Sequence, residues 1–140
     1  MELSFDEFYS FTSTITKEAA EIILSESDNL VANTKFDGTI VTETDLQVER
    51  HIRSRIEGKY PNHGITGEEL NDHQMGAQYT WIIDPIDGTT SYFHGTPLFG
   101  TLVGLLKDGH PVYGALRLPV LEQMVVGDGS RCVINDQDAK

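Results

Sequence analysis

Apolar residues recur at three- and four-residue intervals through the first 25 positions, which is the spacing of one helix face. Ser4 and Glu7 fit a capping box at the start of this pattern, which therefore predicts an amphipathic helix from Ser4 to about Ser25. The face that we expect to pack in the core consists of Phe5, Phe8, Thr12, Ile15, Ala19, Ile22 and Ile23.

A second amphipathic helix is predicted from Thr44 to about Glu57. Thr44 and Gln47 fit another capping box, and Gly58 suits the C-terminal cap. Its apolar side consists of Leu46, Val48, Ile52 and Ile56. Asp45 falls in the first turn, where the helix dipole stabilises a carboxylate. From the pattern alone, a favourable first-turn charge is the simplest interpretation of Asp45.

The rest of the chain alternates short apolar runs with turns. Trp81–Ile83 predicts a buried strand that ends at Pro85, because proline cannot donate a ladder hydrogen bond. Two helices followed by several strands predict an α+β fold, with two N-terminal helices packed on an antiparallel sheet. The further strands are expected at 98–106 and 111–118, around the turn Asp108-Gly109, and at 123–126 and 131–134, around Gly127-Asp128-Gly129.

The segment between the two predicted helices contains a turn. Lys35-Phe36-Asp37-Gly38-Thr39 has an Asp-Gly step typical of turns, and Ile40–Thr42 predicts a short extended piece after it. A lysine on such a turn could reach a phosphate. A solvated side chain is the ordinary alternative for Lys35.

Length and composition limit the class of protein. The 140 residues, 39% of them apolar, fit one globular domain. No stretch approaches the roughly 20 apolar residues of a membrane span, and no basic segment precedes an apolar one at the N-terminus, so we expect neither a span nor a signal peptide. The single cysteine, Cys132, cannot form an internal disulfide, which favours the cytoplasm. A formal net charge of −12 argues against nucleic acid and anionic membrane as partners.

Candidate chemistry follows the central apolar strand. Asp84 and Asp87 should leave the strand end close together, and neighbouring carboxylates repel each other unless a cation or proton lies between them. Hard divalent cations such as Mg²⁺ take oxygen ligands of this kind. Gly88 allows backbone to approach a ligand, and the N–H groups after it can point at an anion. The alternative is an ordinary Asx-type turn.

Two adjacent acids, Glu68 and Glu69, follow Gly67. On a strand they would point to opposite faces, so one could face a metal while the other takes a second role. A solvated acidic turn is the alternative. An acidic site would repel phosphate unless bound cations inverted the local field, so the charge and the metal hypothesis depend on each other. The five histidines lack zinc-ligand spacing and are interpreted as surface or loop residues, with His94 near the proposed site.

Three segments together resemble the inositol monophosphatase superfamily. They are Val41–Asp45, Gly67–Glu69 and Trp81–His94, and the last is similar to the family's metal-site signature. The resemblance extends from about residue 35 to about residue 127. Within the superfamily, the chain looks closest to the branch of histidinol phosphatases and inositol phosphatases. The segments Pro97–Leu106 and Pro119–Glu122 look most like the histidinol phosphatases.

The resemblance implies a Mg²⁺-dependent phosphomonoesterase that hydrolyses a small phosphorylated alcohol, such as inositol monophosphate or histidinol phosphate, with a metal-activated water. Asp45 and Thr89 would orient and deprotonate that water. The implied metal site consists of Glu68, Glu69, Asp84, Asp87 and the backbone carbonyl of Ile86. The residues implied to bind the substrate are Glu68, Asp87, Gly88 and Thr89.

The resemblance also implies the N-terminal half of a layered αβαβα sugar-phosphatase fold, with residues 1–140 as its metal-site domain. The family is nearly twice as long, and its C-terminal half carries a Trp-Asp motif whose aspartate completes a metal site. No Trp-Asp occurs here, since Trp81 is the only tryptophan. We therefore expect the C-terminal half to be absent, with an open sheet edge that favours a homodimer or larger assembly.

Two alternatives to a monophosphatase remain open. A non-catalytic domain that binds a divalent metal or a partner chain would account for the short length. A phosphatase for bisphosphorylated nucleotides or sugars is the other, although such relatives tend to carry a lysine where this chain has Thr90.

Overall fold

Two long helices pack on one face of a seven-stranded sheet in the computed structural model, which describes residues 2–30 and 32–139. The elements in chain order are α1 (Phe5–Ser25), β1 (Ala32–Thr34), β2 (Ile40–Thr42), α2 (Glu43–Lys59), β3 (Gly64–Gly67), β4 (Tyr79–Asp87), α3 (Thr89–Phe93), β5 (Gly100–Lys107), β6 (His110–Leu118), β7 (Gln123–Gly127), β8 (Cys132–Ile134) and β9 (Gln137–Asp138). The α+β prediction is confirmed. Within the described parts of the chain, no helix has the length and apolarity needed to cross a bilayer.

The large sheet has the order β3-β4-β5-β6-β7-β8-β9, while β1 and β2 form a separate hairpin. The prediction of a purely antiparallel sheet is wrong at one pair. β3 and β4 are parallel, with Gly67 opposite Ile83, because the loop 68–78 returns the chain to the end of the sheet where β3 began. The other neighbouring pairs of this sheet are antiparallel, as predicted. The end of β3 therefore lies beside the middle of β4, just before Asp84.

The start of α2 differs from the prediction. Its N-cap is Thr42, not Thr44, and the helix begins at Glu43. The Thr42 hydroxyl accepts the Asp45 N–H at 3.3 Å, and Asp45 Oδ2 accepts the Thr42 N–H at 2.8 Å, which is a reciprocal capping box. An aspartate at the third helical position completes this box in place of the predicted Gln47. Gly58 lies inside the helix and does not cap it, since α2 continues to Lys59.

The core forms between α1 and the sheet, around Trp81. This side chain is fully buried, and the Phe8 ring stacks on it with 5.6 Å between ring centroids. Phe11 meets the same indole edge-on at 5.3 Å. The predicted apolar faces of both helices are confirmed as core except at Leu46, which is half-buried and lies outside the core cluster. The fully buried residues on these faces are Phe8, Thr12, Ile15, Ala19, Ile23, Val48, Ile52 and Ile56.

Pro85 does not end the central strand, contrary to the prediction. β4 continues to Asp87, and its register with β5 shifts between Asp84 and Asp87. Proline is tolerated at such a bulge because the ladder is already interrupted there. The bulge bends the strand end where the candidate aspartates lie.

Candidate active site

The bulged end of β4 forms one wall of a cavity of about 520 Å³. The residues predicted to hold a metal all line it: Glu68, Glu69, Asp84, Ile86 and Asp87. Gly88 and Thr89, predicted to hold phosphate, line the same cavity, as does Lys35 from the β1–β2 turn. Three separate parts of the chain therefore meet at this site.

Glu68 and Glu69 follow β3 and do not lie on it, so the expected alternation between sheet faces does not occur. The Glu68 N–H donates to the carbonyl of Ile83 at 3.1 Å, which ties the acidic pair to β4 one residue before Asp84. The side chain of Glu69 is 7% exposed and that of Glu68 is 54% exposed. One carboxylate thus lies inside the cavity and the other at its open side.

Negative charge is only partly compensated in the cavity. Burial, together with the charges of Glu68 and Asp87, raises the pKa of Asp84 to about 7. The nearest ammonium is that of Lys35, whose Nζ lies 2.7 Å from Glu69 Oε1 and 3.6 Å from Glu68 Oε1. Burial lowers the pKa of Lys35, but the hydrogen bond and charge of Glu69 outweigh it, so the pKa is raised overall.

The donor set fits a hard divalent cation in chemical type and in charge, because it consists of carboxylate and carbonyl oxygens with excess negative charge. The acids are not gathered into a ligand cluster as they stand. Among residues 2–30 and 32–139, no three His, Cys, Asp or Glu side chains are positioned to hold a metal ion together. Lys35 instead pairs with Glu69 and Glu68. The assignment of metal ligands stays a prediction.

Asp45 is a buried junction between α2 and the turn after β4. Its Oδ1 accepts the Thr89 hydroxyl at 2.9 Å, and its Oδ2 accepts the Thr42 N–H at 2.8 Å and the Thr42 hydroxyl at 2.5 Å. The Thr89 hydroxyl also lies 3.0 Å from the carbonyl oxygen of Ile86. The structure therefore brings together the two residues predicted to orient a water, and Asp45 is more than a favourable first-turn charge.

Gly88 is fixed by its conformation and by close packing. Its φ is +88°, and a Cβ there would lie 2.7 Å from the carbonyl oxygen of Leu98. The glycine begins α3, so it sets the direction in which Thr89 points. His94 caps the other end of α3 and does not line the cavity.

One buried residue beside the cavity was missed by the sequence analysis. Glu49 on α2 is fully buried, and its two carboxylate oxygens accept the N–H groups of Glu69 and Leu70. Asp45, Glu49 and Arg53 are spaced four residues apart, so they share one side of the predicted helix. This polar stripe was the available signal, because charged residues at core-facing spacing need partners.

In a comparison with models of protein families, the model of the inositol monophosphatase family matches residues 4–140 of this chain. A histidinol-phosphatase of Chlorobaculum parvum is 41% identical over 102 residues, covering 72% of this chain and 39% of that protein. An inositol monophosphatase of Dictyostelium discoideum is 34% identical over 127 residues, covering 87% of this chain and 47% of that protein. The chain thus spans half or less of the length of these two relatives.

Solved structures agree with the fold over nearly the whole chain. The extragenic suppressor protein suhB of Bartonella henselae matches with a TM-score of 0.88 at 25% identity, over 95% of this chain and 54% of that one. An inositol monophosphatase from Anabaena matches with a TM-score of 0.82 at 26% identity, over 96% of this chain and 49% of that one. Sequence and fold together establish that the chain belongs to the inositol monophosphatase family.

Proposed function

We propose that residues 1–140 form the N-terminal metal-site domain of a Mg²⁺-dependent phosphomonoesterase for a small phosphorylated alcohol, such as inositol monophosphate or histidinol phosphate. The observation that carries this proposal is the meeting of Glu68, Asp84 and Asp87 in one cavity with Thr89, whose hydroxyl is hydrogen-bonded to the buried Asp45. Acids from two strand ends and a proton-accepting pair from two helices, α2 and α3, provide the residue types that metal-assisted hydrolysis requires.

The metal would be held by Glu68, Glu69, Asp84, Asp87 and the carbonyl oxygen of Ile86. Bound there, Mg²⁺ would neutralise charge on the phosphate ester and make the attacking water more acidic. The excess negative charge of the cavity supports this role, since a bound cation would stabilise the ionised Asp84 against the burial and the neighbouring carboxylates that raise its pKa.

The proton of the attacking water would be taken by the pair Thr89 and Asp45. Thr89 Oγ1 can accept that proton while its own hydrogen passes to Asp45 Oδ1 along the 2.9 Å hydrogen bond. The backbone of Gly88 and Thr89 would hold the phosphate, with Asp87 and Glu68 on the substrate side of the cavity. The Thr42 contacts to Asp45 Oδ2 keep the carboxylate oriented for this transfer.

The relatives support more than one substrate. One is named for histidinol phosphate and another for inositol monophosphate. A fructose-1,6-bisphosphatase/inositol-1-monophosphatase of Aquifex aeolicus is 33% identical over 113 residues. Its name supports a bisphosphorylated sugar as an alternative substrate. Thr90, where bisphosphate-specific relatives tend to carry lysine, favours the monophosphate.

Phosphate release from inositol 1-phosphate, histidinol phosphate and fructose 1,6-bisphosphate, with Mg²⁺ or with EDTA, tests the proposal and ranks the substrates. We expect Mg²⁺-dependent turnover that falls sharply in Asp87→Asn, because the substitution removes a proposed ligand of the metal. Asp108→Asn, in the β5–β6 turn, is the matched control. A melting temperature that rises with Mg²⁺ but without hydrolysis would instead support a non-catalytic metal-binding domain. If Mg²⁺ caused neither hydrolysis nor a rise in melting temperature, both the phosphatase and the metal-binding domain would be contradicted.

We further propose a homodimer or larger assembly and a cytoplasmic location. The sheet face away from α1 and α2 has an apolar hollow of about 460 Å³, lined by Leu102, Leu116 and Val125, and Ile82 beside them is 40% exposed. A second copy would remove this surface from water. A monomeric mass by light scattering at micromolar concentration would contradict the assembly. The free cysteine Cys132 supports the cytoplasmic location, because reduced thiols are typical of that compartment.

A further inference from the structure

The acidic pair Glu68-Glu69 is held from behind by a buried carboxylate. Glu49 is fully buried on α2, and its Oε1 accepts the Glu69 N–H at 2.7 Å. Its Oε2 accepts the Leu70 N–H at 3.0 Å. A carboxylate that accepts two backbone N–H groups fixes the path of that backbone, because each of these charge-assisted bonds has a preferred geometry.

Arg53 completes this arrangement. Its Nε donates to Glu49 Oε2 at 2.9 Å, and its terminal nitrogen donates to the carbonyl oxygen of Leu70 at 3.0 Å. The buried charge of Glu49 is therefore paired, and the segment after β3 is held at both an N–H and a carbonyl group. From the other side, the Glu68 N–H donates to Ile83 on β4.

Gly67 is the feature that permits so close an approach. A Cβ added at this position would overlap Oε2, Oε1 and Cδ of Glu49. The carboxylate therefore lies against the bare backbone just before the acidic pair. A fully buried glutamate, its arginine partner and a glycine without room for a side chain all converge on one three-residue segment.

We propose that Glu49 is a positioning residue for metal binding, which orients the carboxylates of Glu68 and Glu69 by fixing the backbone between β3 and Leu70. This inference rests on the proposed function, because it concerns the same metal. Groups that orient metal ligands typically affect metal affinity by about 10–100-fold when they are replaced. Glu49 does not line the cavity itself, so it would act only through the segment that it holds.

Isothermal titration with MgCl₂ alone, at a temperature where each variant is folded, tests the inference. In Glu49→Gln the amide has only one acceptor oxygen for the two N–H groups and Arg53. We expect its Mg²⁺ affinity to fall about 10–100-fold. The matched control is Glu57→Gln on the same helix, which removes the same charge from an exposed site and should bind as the wild type does.

Two further measurements separate positioning from general destabilisation. Amide hydrogen exchange in Glu49→Gln should accelerate at Glu69 and Leu70 while the amides of β5 keep their protection. Gly67→Ala disturbs the same contact from the opposite side, so it should weaken Mg²⁺ binding in the same direction. It also provides the test if Glu49→Gln does not fold.

Wild-type affinity in folded Glu49→Gln, or in Gly67→Ala, would overturn the inference and leave the proposed function intact. Absence of Mg²⁺ binding by the wild-type chain would remove the proposed function, and the inference with it. The two failures are distinguished by the wild-type titration alone.

Discussion

The hydroxyl of Thr89 donates to Oδ1 of Asp45 across 2.9 Å and 44 positions of sequence, joining the first turn of α3 to the first turn of α2. Asp45 is buried and its other oxygen is occupied by Thr42, so its orientation is fixed before any ligand arrives. A carboxylate in this setting can receive a proton without reorganising, which is what a general base requires.

Thr89→Val should abolish the proposed proton transfer while it preserves side-chain shape. We expect the rate of phosphate release to fall on the order of 10²–10⁴-fold, the usual contribution of a general base. Mg²⁺ binding should still be measurable by titration calorimetry, because the hydroxyl contacts the proposed ligand Ile86 but is not itself a proposed ligand. Thr89→Ser restores the hydroxyl and should recover most of the rate. A Thr89→Val enzyme with wild-type turnover would show that the pair is structural only.

Lys35→Met should increase Mg²⁺ affinity. The ammonium of Lys35 lies 2.7 Å from Glu69 and 3.6 Å from Glu68, so it competes with a cation for the same carboxylates. Loss of the pair with the exposed Glu68 is worth about 1 kcal/mol at most, which corresponds to roughly a fivefold change in affinity. Loss of the pair with the buried Glu69 acts in the same direction. Titration with MgCl₂ measures the affinity of each variant. Lys17→Met, on the exposed side of α1, is the control. Weaker binding in Lys35→Met would mean that the lysine supports the site instead of competing.

Phe8→Ala should destabilise the fold by about 3–5 kcal/mol, the usual effect of removing a fully buried aromatic ring. The ring of Phe8 stacks on Trp81, so its loss leaves a void at the centre of the core. Urea unfolding followed by the fluorescence of Trp81 measures the free energy. Phe36→Ala removes an identical ring that is fully exposed on the β1–β2 turn. This control should change the free energy of unfolding by less than about 0.5 kcal/mol. Equal effects in the two variants would contradict this description of the core.

Helix positions followed from sequence because the apolar faces of α1 and α2 repeat with helical spacing, and both faces are the core. The residues at which helices and strands begin and end were harder to predict from the sequence. Pro85 lies within a strand because the register with β5 is already broken there, and no local signal announces that bulge. Likewise, the capping of α2 by Thr42 depends on which of several threonines ends the preceding strand.

The candidate site, too, could be predicted from the sequence only in part. The acidic string around Asp84 and Asp87 is visible in the sequence, but its partnership with Asp45 and Thr89 came from a family resemblance, since residues so far apart carry no mutual spacing signal. Glu49 was missed because its burial depends on the segment 69–70 returning to α2. The spacing of Asp45, Glu49 and Arg53 indicates a shared polar side of the helix, but it does not identify the segment that covers Glu49.

The stability of the chain should depend on pH through His63. Its Nδ1 accepts the Trp81 Nε1–H at 3.0 Å, and its ring stacks on Tyr60 at 4.7 Å between centroids. Burial lowers the pKa of His63 below its ordinary value of about 6.5. The unfolded chain therefore binds the proton more readily, so the free energy of unfolding contributed by His63 is complete above about pH 6.5 and decreases as the pH falls below it.

Urea unfolding of the wild type and of His63→Gln between pH 5 and 8 measures this contribution as a difference. The difference is required because Asp84, whose pKa is raised to about 7, acts in the opposite sense and loses stability as the pH rises. The glutamine can still accept the Trp81 N–H but cannot titrate, so the stability of wild type relative to His63→Gln should decrease toward low pH. His110→Gln, at the exposed start of β6, should keep the wild-type profile. A constant difference between wild type and His63→Gln across this range would show that His63 titrates alike in the folded and unfolded chain.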